Sequence, residues 1–161
     1  KGTTFNVYLP LIETGEKKED KQINKEYPKG NERILFVDDE DSVVHLFKRM
    51  FTKLGYSVTT FNDSMQALDE FKQHPDMYDL VISDNLMPNM DGLTLSRELL
   101  AVRPDILIII SSGFSERKTQ EAAKVIGVKA FLLKPLLIQE IANTVRSVLD
   151  ENQKNNQKFS T

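Results

Sequence analysis

Short β-branched runs alternate with longer segments of helical spacing between residues 32 and 150, and this alternation limits the fold more than any other feature. Such a chain builds a parallel sheet in which the helices serve as crossover connections. The predicted strands are Ile34 to Val37, Ser57 to Phe61, Leu80 to Ser83, Ile106 to Ile110 and Ala130 to Leu133. Because crossovers between parallel strands are right-handed, we expect a doubly wound α/β sandwich of five βα units.

Five helices are predicted by apolar residues that recur at intervals of three or four. The first ends before Gly55, the second before Pro75 and the third near Pro104, because glycine caps a helix and proline cannot continue one. The fourth extends from about residue 116 to Ile126 and stops at Gly127. The fifth carries the amphipathic set Ile138, Ile141, Val145, Val148 and Leu149.

Three further segments flank this core. Residues 3–12 alternate between apolar and polar side chains, which predicts one strand and no more. Six acidic and six basic residues fall between Glu13 and Arg33 with almost no apolar content, so this part cannot bury enough surface to fold. We therefore predict a strand remnant at 1–12, a charged linker at 13–31, a globular domain at 32–150 and a frayed polar tail at 151–161.

Composition excludes several classes of function. The net charge of -3 gives no general attraction to nucleic acid or anionic lipid. There is no cysteine, which excludes disulfides and thiolate metal sites and fits a reducing cytoplasm. No apolar run approaches the roughly 18 residues of a membrane span, so we expect no membrane contact by this chain. The first residue is Lys1 rather than Met, and we expect a piece of a longer protein.

Acidic and polar residues collect where the predicted strands end. Asp38 and Asp39 follow the first strand, Asp84 the third, Ser111 and Ser112 the fourth, and Lys134 the fifth. Ligands of open parallel sheets bind beyond the carboxyl ends of the strands. We therefore expect three carboxylates, a hydroxyl group and an amine to converge on one rim, with Glu40 or Asp41 capping the helix that follows the first strand.

This set of groups is typical of magnesium and phosphate chemistry. Carboxylates held close together repel each other, so a cation normally neutralises them. Oxygen ligands without histidine or cysteine select a hard metal such as Mg²⁺. A carboxylate beside Mg²⁺, with an amine and a hydroxyl available for phosphate oxygens, predicts phosphoryl transfer to an aspartate.

Four segments, taken in this order, resemble a response regulator receiver domain: ILFVDDED, DLVISDNLMPNMDG, IIISSGF and AFLLKP. The resemblance covers residues 32–150 and implies a flavodoxin-like, five-stranded parallel sheet of order 2-1-3-4-5. It also implies a two-component phosphorelay, in which a histidine kinase or a histidine phosphotransfer domain donates the phosphoryl group from a phosphohistidine. The surface formed by the fourth helix, fifth strand and fifth helix is then expected to change conformation on phosphorylation. The resemblance also allows a weak dimer through this surface.

The resemblance assigns the acids of the rim. Asp84 matches the phosphoacceptor, while Asp38 and Asp39 match the residues that hold Mg²⁺ directly or through water. Asp84 itself and the backbone carbonyl of Leu86 are expected to complete the protein ligands of the metal.

The resemblance also assigns the groups that stabilise the phosphoryl product. Lys134 matches the phosphate-binding lysine and Phe131 the aromatic switch residue. Ser112, which directly precedes a small glycine, matches the switch hydroxyl, with Ser111 as the alternative. In this family the bond corresponding to Lys134–Pro135 is commonly cis, which the sequence alone does not decide.

The opening segment KGTTFNVYLPLIE resembles the last glycine motif and final strand of the ATP-binding domain of a sensor histidine kinase. This implies that the parent is a hybrid histidine kinase with a C-terminal receiver. The chain itself then catalyses at most its own phosphorylation and dephosphorylation.

Two other functions fit parts of the pattern. A phosphatase of the haloacid dehalogenase type also forms an aspartyl phosphate, but needs an acid two residues after its nucleophile, where this chain has Leu86. A degenerate receiver used only for docking is expected to lack the acids or the lysine, and this chain keeps them. His45 and His74 have no neighbours that suggest phosphotransfer or metal binding.

Overall fold

Five parallel strands form one sheet in this computed structural model, which describes Thr3 and residues 27–113 and 117–158. The strands are β1 (Arg33–Val37), β2 (Ser57–Phe61), β3 (Leu80–Asp84), β4 (Leu107–Ser112) and β5 (Ala130–Leu133). Their order is β2-β1-β3-β4-β5, which confirms the predicted doubly wound, flavodoxin-like α/β fold. β4 begins one residue later than predicted and continues through Ser112, so both rim serines belong to the strand.

In the described ranges, five helices cover the two faces of the sheet. They are α1 (Asp41–Lys53), α2 (Ser64–Gln73), α3 (Gly92–Val102), α4 (Arg117–Ile126) and α5 (Ile138–Lys158), with a 3₁₀ turn at Pro75–Met77. Gly55 and Gly127 follow α1 and α4 with φ of 100° and 108°, the left-handed conformation that glycine adopts without strain at a helix end. Glu40 occupies the N-cap position of α1, but its side chain makes no capping hydrogen bond.

The core has two layers because alternate strand residues point to opposite faces. In β1, Ile34 and Phe36 pack with apolar residues of α1 and α5. Leu35 and Val37, which lie between them in sequence, pack with apolar residues of α2, α3 and α4. Both faces are therefore covered by helices, and the carboxyl ends of the strands stay available for a site.

α5 continues to Lys158, so the frayed tail predicted from Glu151 is wrong for residues 151–158. The first half of α5 is held by the core, and extending an existing helix is far easier than starting one. Ser147 Oγ also donates to Glu151 Oε1 at 3.3 Å, across the predicted boundary. The predicted strand remnant at 1–12 and most of the linker lie outside the described residues, apart from Thr3 and residues 27–31. No helix in the described ranges is both long and apolar enough to cross a bilayer.

Candidate functional site

An ammonium group lies between two buried carboxylates at the carboxyl edge of the sheet. Lys134 Nζ is 2.9 Å from Asp38 Oδ2 and 3.0 Å from Asp84 Oδ1. Asp38 is fully buried and Asp84 is 4% exposed. Two positions before each of these three residues lies a strand residue that packs towards α1 and α5. Because residues two apart in a strand share a face of the sheet, all three side chains point to that same face.

Asp38 is held by its own loop as well as by the lysine. Its Oδ1 accepts a hydrogen bond from the Glu40 backbone N–H at 3.0 Å, and its backbone carbonyl accepts from Asn62 Nδ2 at 3.1 Å. Burial raises the pKa of Asp38, and the nearby charge of Asp84 adds to this, although the hydrogen bonds from Lys134 and Glu40 lower it. The ionised form of this carboxylate therefore depends on a neighbouring cation.

Lys134 supplies that cation. Burial lowers the pKa of Lys134, but its hydrogen bonds to Asp38 and Asp84 and their negative charges outweigh burial, and the net pKa is raised. Its backbone N–H donates to the Ser112 carbonyl oxygen at 2.8 Å, which ties the end of β5 to β4. The Lys134–Pro135 peptide bond is cis.

The carboxylate of Asp84 has different partners on its two oxygens. Oδ1 accepts from Lys134 Nζ and, at 3.4 Å, from Ser111 Oγ, whereas Oδ2 accepts from the Leu86 backbone N–H at 3.2 Å. Gly92 lies directly against this loop, since a Cβ atom there would be 2.3 Å from the Asp84 carbonyl oxygen. The glycine lets α3 begin close to the end of β3.

The two serines of β4 point to opposite faces of the sheet. Ser111 lies on the face of Asp84 and Lys134, whereas Ser112, also buried, lies on the face that packs towards α2, α3 and α4. Phe131 is partly buried against the apolar cluster on that second face. The Ser111 hydroxyl thus contacts the Asp84 carboxylate, and the predicted switch roles of Ser112 and Phe131 stay predictions.

The carboxylates of the site suit a hard cation, and its ammonium group suits the oxygens of a phosphate. Within the described ranges, no three side chains of His, Cys, Asp or Glu lie close enough together to surround a metal ion. Asp38 and Asp84 supply two buried carboxylates, and the predicted third acid, Asp39, is exposed beside them. Mg²⁺ usually binds one or two carboxylates and keeps sites for water and phosphate oxygens, so this donor set fits it.

Sequence reasoning missed Asn85, which follows Asp84 directly. Asn85 is buried, and its Oδ1 atom has no hydrogen-bond partner in the described part of the chain. Its backbone N–H donates to the Ser111 carbonyl oxygen at 2.8 Å, and its carbonyl accepts from the Gly92 N–H at 3.0 Å. The one signal in the sequence was a polar residue placed next to the strand-end acid.

Residues 34–146 match the family model described as the response regulator receiver domain. The chain belongs to this family. The chain is 32% identical over 159 residues to the sensor kinase CckA of Brucella abortus (strain 2308), covering 94% of this chain and 17% of CckA. It is 36% identical over 132 residues to the two-component response regulator ORR22 of Oryza sativa subsp. indica, covering 80% of this chain and 19% of ORR22. The chain therefore spans about a fifth of the length of these relatives.

Solved receiver structures have the same fold. A CheY-like receiver domain from Methanospirillum hungatei JF-1 superposes with a TM-score of 0.73 at 23% identity, covering 78% of this chain and 99% of that one. CheY in the CheX–CheY–BeF₃–Mg²⁺ complex of Borrelia burgdorferi gives 0.69 at 28% identity, covering 72% and 87%. The chain thus contains a receiver domain of a two-component system, a family that is typically phosphorylated on an aspartate.

Proposed function

We propose that Asp84 accepts a phosphoryl group from a phosphohistidine on a histidine kinase or a histidine phosphotransfer domain. The observation that carries this proposal is the position of Lys134 Nζ, which bridges the carboxylates of Asp84 and Asp38 at the ligand-binding edge of the sheet. A carboxylate can act as a nucleophile towards phosphorus, and a fixed cation beside it stabilises the charge of the phosphoryl oxygens.

In the transfer, an oxygen of Asp84 attacks the phosphorus atom and a P–O bond forms. The P–N bond to the imidazole breaks, its electron pair returns to the ring nitrogen, and the ring leaves neutral when its other nitrogen carries a proton. Once the P–O bond has formed, Lys134 exchanges its contact with Asp84 for one with a phosphoryl oxygen and keeps its ion pair with Asp38. The chain's own contribution is therefore position and charge.

Mg²⁺ is part of this proposal, as receiver domains in general depend on it. We assign its protein ligands to Asp38, Asp39, Asp84 and the Leu86 backbone carbonyl. When bound, the ion neutralises phosphoryl oxygens that would otherwise repel the two buried carboxylates.

Phosphorylation adds a charge of about -1.5 to -2 at the end of β3. We propose that Ser112 turns to this phosphate and that Phe131 then changes rotamer, which alters the surface formed by α4, β5 and α5. Exposed apolar side chains on these three elements, Val125, Leu133 and Ile138, support a role of this surface in contacting a partner or a second receiver.

The parent protein is proposed to be a hybrid sensor histidine kinase that presents this receiver in the cytoplasm. The similarity to CckA supports this because it covers 94% of the chain and so includes residues upstream of the receiver. The relevant partner is then a histidine in the same protein or on a separate phosphotransfer domain.

The test is to incubate the chain with Mg²⁺ and acetyl phosphate and to measure its intact mass. Wild type is expected to gain one phosphoryl group that is stable in acid and lost in alkali, and Asp84→Asn is expected to gain none. Asp91→Asn, which changes an exposed acid at the N-cap of α3, is the matched control and should label as wild type does. Equal labelling of Asp84→Asn and wild type would show that another residue is the acceptor.

A further inference from the structure

The hydroxyl group of Ser111 is fixed against the carboxylate of Asp84 by the sheet itself. Ser111 is fully buried, and its Oγ donates to Asp84 Oδ1 at 3.4 Å. Asp84 and Ser111 lie opposite each other in the paired strands β3 and β4. The backbone N–H of Asn85, which follows Asp84, donates to the Ser111 carbonyl oxygen at 2.8 Å. The relative position of the two side chains is therefore set by paired backbone and not by a loop.

This contact makes the two oxygens of Asp84 unequal. Oδ1 faces both the ammonium group of Lys134 and the hydroxyl of Ser111, which draw electron density towards themselves. Oδ2 faces the Leu86 backbone N–H at 3.2 Å. A carboxylate on a short side chain rotates easily about its last bond, so a second contact on Oδ1 limits that rotation.

We infer that Ser111 is a positioning residue for the phosphoryl transfer: with Lys134 it holds Oδ1 of Asp84, so that Oδ2 is the oxygen that attacks phosphorus. This inference rests on the proposed phosphoacceptor function of Asp84. The Oδ2–P bond forms, the bond from phosphorus to its leaving group breaks with its electron pair on that group, and Ser111 keeps its proton throughout. Ser111 thus alters how often the carboxylate is correctly oriented, and leaves the chemistry unchanged.

The position of Ser111 predicts which kinetic constant it controls. Its side chain is fully buried, and its hydroxyl contacts Oδ1, the oxygen that does not attack, so it does not meet the donor. Loss of orientation lowers the maximal rate of a reaction and leaves the binding of the donor unchanged. The maximal rate of phosphorylation should therefore depend on Ser111, whereas the donor concentration for half-maximal rate should not.

Three substitutions at position 111 test the inference with acetyl phosphate and Mg²⁺. Ser111→Ala removes the hydroxyl, Ser111→Cys keeps a similar volume with a weak donor, and Ser111→Thr keeps the hydroxyl. We expect roughly tenfold lower maximal rates for the alanine and cysteine variants, unchanged half-saturation, and recovery in the threonine variant. Wild-type rates in both the alanine and the cysteine variant would overturn the inference.

Ser83→Ala is the matched control, because Ser83 is also fully buried in a central strand and precedes Asp84 directly. Its Oγ donates to the backbone carbonyl of Asp84 at 2.8 Å and not to the carboxylate. The control should keep the wild-type maximal rate. An equal loss in Ser83→Ala and Ser111→Ala would assign the effect to packing and overturn the positioning role.

The contact is also measurable without phosphorylation, which separates this inference from the proposed function. The ¹³C signal of the Asp84 side-chain carboxyl group, identified by its loss in Asp84→Asn, should move in Ser111→Ala and Ser111→Cys but not in Ser83→Ala. Failure of wild type to label would overturn the proposed function, while an unmoved carboxyl signal would overturn the contact made by Ser111.

Discussion

Lys134 Nζ lies 2.9 Å from Asp38 Oδ2, although 96 positions separate the two residues in the sequence. Asp38 follows the first strand and Lys134 the last, and only the completed sheet, with β3 and β4 in between, brings them together. The fully buried carboxylate and the ammonium group therefore depend on each other for their charge balance.

Lys134→Met should destabilise the receiver by about 3 kcal/mol at neutral pH, because it leaves two buried carboxylates without their cation. Since burial raises the pKa of Asp38, protonation in mild acid removes part of that unpaired charge, and the difference from wild type should shrink as the pH falls. Urea unfolding at neutral and acidic pH measures this, with the exposed Lys129→Met as control. Equal stability of wild type and Lys134→Met at neutral pH would contradict the prediction.

Gly92→Ala should destabilise the receiver by about 2 kcal/mol and slow its phosphorylation. The added Cβ would lie 2.3 Å from the Asp84 carbonyl oxygen and 3.0 Å from Asn85 Cα, so the backbone that carries Asp84 must move. Thermal unfolding and the acetyl phosphate assay measure the two effects. Gly113→Ala, where a Cβ meets no atom of the described residues within 4 Å, should keep wild-type stability.

Leu86→Glu should shorten the lifetime of the phosphorylated receiver by roughly tenfold, because a carboxylate two residues after Asp84 can act as a general base on water. The native side chain is 64% exposed, so the substitution needs no repacking. The decay of phosphorylated protein, followed by intact mass, measures the lifetime. Val125→Glu, at an 89% exposed position on α4, should decay as wild type does; an unchanged lifetime in Leu86→Glu would exclude this role for position 86.

Arg146→Met should cost about 2 kcal/mol of stability at neutral pH. Arg146 Nη2 and Nη1 donate to the two carboxylate oxygens of Glu32 at 2.7 and 3.1 Å, which ties α5 to the segment before β1. Burial raises the pKa of Glu32, but hydrogen bonds and the charge of Arg146 outweigh it, and the net pKa is lowered.

The pH dependence of this pair has a definite sign. A lowered folded-state pKa means that the stabilisation is complete above the ordinary glutamate value of about 4.5 and is lost as the pH falls through the folded value. The difference between wild type and Arg146→Met should therefore be full at pH 7 and small near pH 3. A difference that stays constant over this range would show that Arg146 acts through packing alone.

Much of the fold followed from local pattern. The bounds of β2 and β5 are those predicted, and the other strands differ by a residue or two at an end. Gly55 and Gly127 end helices as expected, because their positive φ is a local requirement that the residue type itself meets. The convergence of Asp38, Asp84 and Lys134 was also predictable, since parallel strands place their carboxyl ends on one edge.

The sequence by itself determined the element types, the fold class and the edge of the sheet that carries the site, because periodicity and strand-end positions are properties of short segments. Tertiary structure decided that the Ser111 hydroxyl contacts the Asp84 carboxylate, that Asn85 is buried, and that α5 continues to Lys158. These outcomes depend on strand register and on packing between segments far apart in the chain, which no local pattern specifies.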